Sequence, residues 1–140
     1  MYATVSDFVL RIGERESIEL TDREMTGVVD ESILQVALKD SSSQIDGYLN
    51  GRYRLPLSNI PNNLTRICCD LARYHLTSKS SVTMTEEVEN RYKFCIKELE
   101  QISKGIVSLS DDESSDVDSD SDDAVQFYNG GNRIWGRDKR

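Results

Sequence analysis

The fold of this chain depends on the segment Ile45-Asp46-Gly47-Tyr48-Leu49-Asn50-Gly51-Arg52-Tyr53-Arg54-Leu55-Pro56-Leu57, with Pro61 just beyond it. Its apolar residues begin with helical spacing, and Gly51 is a suitable helix stop. The residues before Pro56 and Pro61 are pushed out of the α region, so the chain is extended or turned there. The pattern predicts a helix-to-loop junction that presents arginine and tyrosine to a neighbour, a mixture that no catalytic scheme requires.

Apolar stripes with helical spacing lie on both sides of this junction and predict three longer helices. The third helix of the chain begins after Asp30, a good N-cap, and the fourth begins near Pro61, which suits a first helical turn. Thr85 caps the fifth helix, and Gly105 ends it. The predicted inward-facing residues are Ile33, Val36, Ala37, Ser41, Ile45, Tyr48 and Leu49, then Leu64, Ile67, Cys68, Leu71, Ala72, His75 and Leu76, and finally Val88, Tyr92, Cys95, Ile96, Leu99 and Ile102.

Two short helices precede these three. The first covers residues 8–12, is capped by Ser6 or Asp7, and is stopped by Gly13; the second covers residues 14–20, and a loop follows over 21–29. Strand signals are weak, with only residues 106–109 ambiguous. The sequence therefore predicts a small all-α domain of about five helices with an extended C-terminal arm.

The charge is distributed unevenly and divides the chain into three parts. Residues 1–110 carry 13 Lys+Arg and 16 Asp+Glu, residues 111–123 carry eight acidic side chains and no basic one, and residues 133–140 carry four basic side chains against Asp138. We expect a helical domain over 1–110, an acidic low-complexity linker over 111–123, and an aromatic and basic docking arm over 124–140.

The acidic linker has three interpretations. It is a solvated spacer, a surface that keeps nucleic acid from adhering, or a weak and unspecific cation binder. An alternative function for the whole chain follows from the second interpretation. The chain is then a cytosolic acidic binding or regulatory module that competes with nucleic acid for a basic protein.

The C-terminal arm places aromatic and basic residues together after that linker. Trp135 is the only tryptophan of the chain, and aromatic and arginine side chains anchor interfaces because they bury large areas. We predict docking onto a partner or a neighbouring copy; folding back onto the same domain and contact with nucleic acid are the alternatives. The candidate docking residues are Phe127, Tyr128, Arg133, Ile134, Trp135 and Arg137.

A second candidate interface is the corner formed by Arg52, Tyr53 and Arg54. It contacts a subunit or another protein, or it is a solvated loop with Tyr53 packed under the domain. Both interpretations are compatible with the sequence.

Enzymatic and metal-binding motifs are weak. The run from Asp22 to Asp30 resembles the start of a calcium loop, but position twelve is Ile33 where a bidentate glutamate is needed. A helix-connecting turn with Gly27 at positive φ explains the same residues. A catalytic pairing of His75 with Cys95 has no supporting motif. We therefore predict no enzyme, no metal and no cofactor.

Compartment signals point to the cytosol. The three cysteines have neither metal-site nor disulfide spacing, which favours reduced core thiols. No apolar run approaches the roughly 20 residues that span a bilayer, and the N-terminus lacks the features of a signal peptide. We expect no membrane association.

The chain resembles the Mu-like phage and prophage neck protein family of head–tail connectors. The resemblance covers nearly the whole chain, and its most specific motif is the opening segment, residues 45–57. Further matches are Met1-Tyr2-Ala3-Thr4 running into Asp7, Leu20-Thr21-Asp22-Arg23, Cys69-Asp70-Leu71-Ala72-Arg73-Tyr74 and Asn132-Arg133. The linker 111–123 is longer and more acidic than the family pattern.

The resemblance implies a structural virion protein without enzymatic activity. It implies a homo-oligomeric ring, with twelve copies expected, between the portal protein and the tail terminator or another neck protein. DNA passes through such a ring without specific binding. The expected location is the virion neck, after assembly in the host cytoplasm.

Overall fold

The computed structural model describes residues 1–109, which form five α-helices and their connecting loops. The helices are α1 (Val5–Ile12), α2 (Glu14–Thr21), α3 (Glu31–Leu49), α4 (Asn62–Lys79) and α5 (Glu86–Ser103). Residues 1–109 contain no strand. The predicted all-α class and the number of helices are confirmed.

The helix ends follow the predicted signals with two corrections. Thr4, rather than Ser6 or Asp7, is the N-cap of α1, because its hydroxyl accepts the Asp7 backbone N–H at 3.2 Å while the Asp7 carboxylate accepts the Thr4 N–H at 2.8 Å. Pro61 is the N-cap of α4 and not a residue of its first turn. A positive φ of 104° at Gly13 separates α1 from α2.

The caps of α3 and α5 are as predicted. The Asp30 carboxylate accepts the backbone N–H groups of Ser32 at 3.0 Å and Ile33 at 3.3 Å. The Thr85 hydroxyl accepts the N–H of Val88 at 3.3 Å. α5 ends at Ser103, two residues before Gly105, whose φ of 77° reverses the chain.

The core lies between α3, α4 and α5, with α1 and α2 packed across α3 and α4. In α4 and α5 the predicted stripes are largely correct, although His75, Tyr92 and Ile96 are only partly buried. The fully buried residues of these two helices include Leu64, Ile67, Cys68, Leu71, Ala72, Cys95, Leu99 and Ile102.

The predicted stripe of α3 is only partly correct in its first half: Ala37 is buried and Ile33 is partly buried, but Val36 is exposed and two buried leucines were not predicted. Leu34 and Leu38 are 0% exposed, whereas the predicted core residue Val36 is 59% exposed. α3 contacts α1, α2, α4 and α5, so its buried surface is wider than a single stripe. Leu34 and Leu38 each lie about 160° around the helix from Val36. Val36 therefore stands in solvent at the edge of a groove.

Candidate interaction surfaces

The corner after α3 is held by its own backbone and by the end of the domain. The N–H groups of Arg52 and Tyr53 donate to the Leu49 carbonyl at 3.0 and 2.9 Å. Tyr53 is partly buried, and its hydroxyl accepts the backbone N–H of Leu109 at 3.2 Å. Tyr53 thus connects Leu109 to the end of α3. This placement agrees with the interpretation in which Tyr53 packs under the domain.

The two arginines of the corner differ in their surroundings. The Arg52 guanidinium covers Gly105, because a Cβ built on that glycine would lie 2.6 Å from the guanidinium carbon. Arg52 and Arg54 are both exposed. Because the Arg52 guanidinium is already packed on Gly105 and Tyr53 is partly buried, Arg54 is the predicted interface residue most available to another molecule.

A network of charged side chains joins α2, α4 and α5 around Asp70. The Asp70 carboxylate lies 3.5 Å from Arg66 and 3.9 Å from Arg91, and the Cys95 thiol donates to it at 3.6 Å. Asp70 is only 7% exposed. The network continues through ion pairs of Arg66 with Glu98 (2.5 Å), Arg91 with Glu87 (3.1 Å), and Arg73 with Glu16 (2.6 Å) and Glu87 (3.7 Å).

Sequence reasoning missed the role of Asp70, although a signal was present. In α4, Asp70 is surrounded in sequence by buried apolar residues. A carboxylate in such a position needs a cationic partner, because an unpaired charge is costly to bury. Burial alone would lower the pKa of Arg66, but its hydrogen bond to Glu98 and the nearby carboxylates raise that pKa above its ordinary value. The network is a structural clamp between helices.

His75 and Cys95 have different partners. The His75 ring hydrogen-bonds to Gln44 at 3.0 Å and packs edge-on against Tyr74 and Tyr92, whose rings stack on each other with centroids 3.9 Å apart. The Cys95 thiol instead donates a hydrogen bond to the Asp70 carboxylate. Burial, with a further contribution from Lys79, lowers the pKa of His75. The structure does not assemble the hypothetical His75–Cys95 pair.

The three thiols should react slowly with 5,5′-dithiobis(2-nitrobenzoate) in the native chain. Cys68, Cys69 and Cys95 are at most 1% exposed, and burial raises the pKa of Cys69 and Cys95 to about 12. We expect the native reaction to be at least about a hundredfold slower than the reaction in denaturant, where all three thiols are accessible to the reagent. A thiol that reacts as fast in the folded chain as in the unfolded chain would contradict the core placement.

The loop that resembles a calcium site is organised by its own backbone. The Asp22 carboxylate accepts the N–H groups of Thr26 at 2.8 Å and Gly27 at 2.6 Å, and these bonds lower the pKa of Asp22. Gly27 has a φ of 83°, and Asp30 is occupied as the cap of α3. These carboxylates therefore serve a helix-connecting turn. Residues 1–109 contain no group of three or more side chains suited to a metal ion.

A groove of about 330 Å³ lies between the first turns of α3 and the end of α4. Its base is apolar, and its rim carries Arg23 from the loop and Lys79 from α4. The other lining residues are Ser32, Ile33, Val36, Ala37, His75 and Leu76. No sequence signal brings Arg23 and Lys79 together, because they meet only once α3 and α4 are packed. We call this feature the α3–α4 groove.

Two predicted features lie outside the described residues. These are the acidic linker 111–123 and the docking arm with Phe127, Tyr128, Arg133, Ile134, Trp135 and Arg137. No helix of residues 1–109 is both long and apolar enough to cross a bilayer.

Comparison with known proteins places this helical domain in a phage family. The model of the family described as Bacteriophage Mu, Gp36 matches residues 2–127, which include nearly all of the described domain. The chain belongs to this family. The resemblance to Mu-like phage proteins is thereby confirmed, and the chain is a protein of phage origin.

Two relatives of the Mu Gp36 family protein share much of its length. The Mu-like prophage FluMu protein gp36 of Haemophilus influenzae is 38% identical over 114 residues, which cover 78% of this chain and 74% of that relative. Gene product J of Escherichia phage Mu is 32% identical over 127 residues, covering 89% of this chain and 87% of that relative. Both alignments are longer than the 109 residues that the structure describes.

Proposed function

We propose that this protein is a structural head–tail connector that forms a ring between the portal and the tail of a tailed phage. The observation that carries the proposal is the match of residues 2–127 to the Mu Gp36 family, together with the neck-protein resemblance of its motifs. The expected ring has twelve copies, and the other partners are the portal protein and a tail terminator or second neck protein. The assembled ring lies in the virion neck.

The surface of the domain fits an assembling protein. Large apolar side chains stand in solvent on several elements: Leu10 on α1 is 84% exposed, Phe94 on α5 60%, and Ile106 after α5 70%. Apolar side chains that are exposed on a free subunit become buried in the core of an interface when subunits pack together. Side-by-side packing into a ring needs two different patches on each copy, because the contact is heterologous.

Sedimentation with the portal protein tests the proposal. We expect the full chain to sediment with portal assemblies from the same phage, and electron microscopy of the complex should show a closed ring. A chain that stays a monomer and joins neither portal nor tail components under these conditions would refute the connector role. Competition with DNA for a basic protein would instead favour the acidic regulatory module.

Arg54→Glu should weaken this assembly about tenfold. Arg54 is exposed at the corner, so reversing its charge leaves the fold intact but places an acidic side chain where a complementary contact is expected. Lys39→Glu is the matched control, because Lys39 is an exposed residue of α3 and undergoes the same change in charge. Equal assembly of the two variants, measured by co-sedimentation over a concentration series, would remove Arg54 from the interface.

A further inference from the structure

We propose that the α3–α4 groove binds residues 122–128 of the same chain, Asp122-Asp123-Ala124-Val125-Gln126-Phe127-Tyr128. The inference goes beyond the connector role, since it applies to the isolated chain whether or not a ring forms. It assigns a site on the described domain to the last two residues of the acidic linker and the first five of the predicted docking arm.

The apolar lining and basic rim of the groove are complementary to this segment. The groove has an apolar lining that includes Ile33, Val36 and Leu76, and cations at its rim. A matching ligand carries acidic residues directly next to large apolar ones. Residues 122–128 have this order, with two aspartates followed by Val125, Phe127 and Tyr128. The rest of the C-terminal region matches less well: residues 111–121 contain one apolar side chain, and residues 133–140 are basic.

The rim cations are available to new carboxylates. Lys79 is 61% exposed on its side chain and is paired with Asp40 only at 4.0 Å, a long and solvated contact that contributes little. Arg23 is exposed, and its charge acts on Asp30. Two aspartates seated between Arg23 and Lys79 would form charge-assisted contacts at the edge of an apolar surface, where such contacts are stronger than in open water.

The connection is long enough for the segment to reach its own groove. Leu109 is fixed beside the end of α3 by its hydrogen bond to Tyr53. Val36 lies 13 residues before Leu49, or about 20 Å along α3. The 12 residues from 110 to 121 span at most about 40 Å. The tether therefore reaches the groove with length to spare, and tethering gives the segment a high effective concentration there.

Docking of this segment would determine the direction of the arm. Residues 129–140, including Trp135, would then leave the domain from the α3–α4 face rather than from the corner at Tyr53. The apolar surface of Val36, which is exposed in the described domain, would be covered at the same time.

Disulfide formation in the full-length chain tests the proposal. In the Val36→Cys/Val125→Cys variant, mild oxidation should close an intrachain disulfide, detected by gel mobility and peptide mass. The native thiols do not compete because they are buried. Ser43→Cys/Val125→Cys is the control: Ser43 is exposed on the same side of α3, does not line the groove, and is about 10 Å nearer to the tether. Unguided collision favours the Ser43 pair, whereas docking favours the Val36 pair.

We expect the Val36 pair to close about tenfold faster than the Ser43 pair. Adding Arg23→Glu and Lys79→Glu should remove that advantage, and Asp122→Lys with Asp123→Lys in the same chain should restore it. Equal or faster closure of the Ser43 pair would overturn the proposal. A disulfide-linked dimer in place of the intrachain product would also overturn it, since the occupant would then be a second copy.

Discussion

Replacing Phe8 with alanine is expected to lower the free energy of unfolding by about 3 to 4 kcal/mol. Phe8 is 0% exposed and is the one residue of α1 that is fully buried. α1 packs on α2, α3 and α4, and Phe8 is its most deeply buried side chain, with Val5, Val9 and Ile12 partly buried against the same core. Removal of the Phe8 side chain leaves a cavity that the neighbouring core residues cannot fill without moving.

Urea unfolding followed by far-UV circular dichroism measures this effect. Leu10→Ala is the control, because Leu10 belongs to the same helix but is 84% exposed. Its truncation should change the free energy of unfolding by less than about 0.5 kcal/mol. Equal destabilisation by the two variants would mean that α1 is not anchored through Phe8. Leu10→Ala also tests the proposed ring, since a loss of assembly without a loss of stability would place Leu10 in a subunit contact.

The elements of this fold could be predicted from sequence because their signals are local. Two glycines, Gly13 and Gly105, mark helix ends through their own positive φ angles. Two N-caps, Asp30 and Thr85, begin helices because their side chains accept N–H groups of the first turn, as predicted. The predicted caps of α1, Ser6 and Asp7, lie two and three residues after the actual cap, Thr4. Ser6 and Asp7 are both good cap residues, and the reciprocal pair of Thr4 and Asp7 is visible in sequence only when both ends of the capping box are considered.

The parts that could not be predicted depend on which helices become neighbours. Val36 and Leu38 are equally suited to a core by their residue types, and only the packing of α3 against four other helices decides that Leu38 is buried and Val36 is exposed. The same holds for the α3–α4 groove, whose rim residues Arg23 and Lys79 are 56 residues apart in sequence. The interface role of Arg52, Tyr53 and Arg54 remains a prediction, and the structure assigns Tyr53 an additional task in fixing Leu109.

Asp70→Ala is the second substitution with a large expected effect, about 2 kcal/mol of destabilisation. Removing one partner of a buried ion pair commonly costs about 3 to 5 kcal/mol, because the remaining charge is left uncompensated. Here Arg66 keeps Glu98 and Arg91 keeps Glu87, and their side chains are 36% and 56% exposed. Solvent and these second partners therefore reduce the loss to the lower value.

The comparison with Glu19→Ala isolates the contribution of burial. Glu19 pairs with Arg15 at 3.3 Å, but the two side chains are 52% and 94% exposed, so its loss should cost below about 0.5 kcal/mol. A double-mutant cycle of Asp70→Ala with Arg66→Ala, read by urea unfolding, should give a coupling of about 1 kcal/mol. If Asp70→Ala is no more destabilising than Glu19→Ala, the network does not clamp α4 to α5. The aspartate and arginine of Cys69-Asp70-Leu71-Ala72-Arg73-Tyr74 would then need an explanation outside the folded domain, such as a contact with another protein.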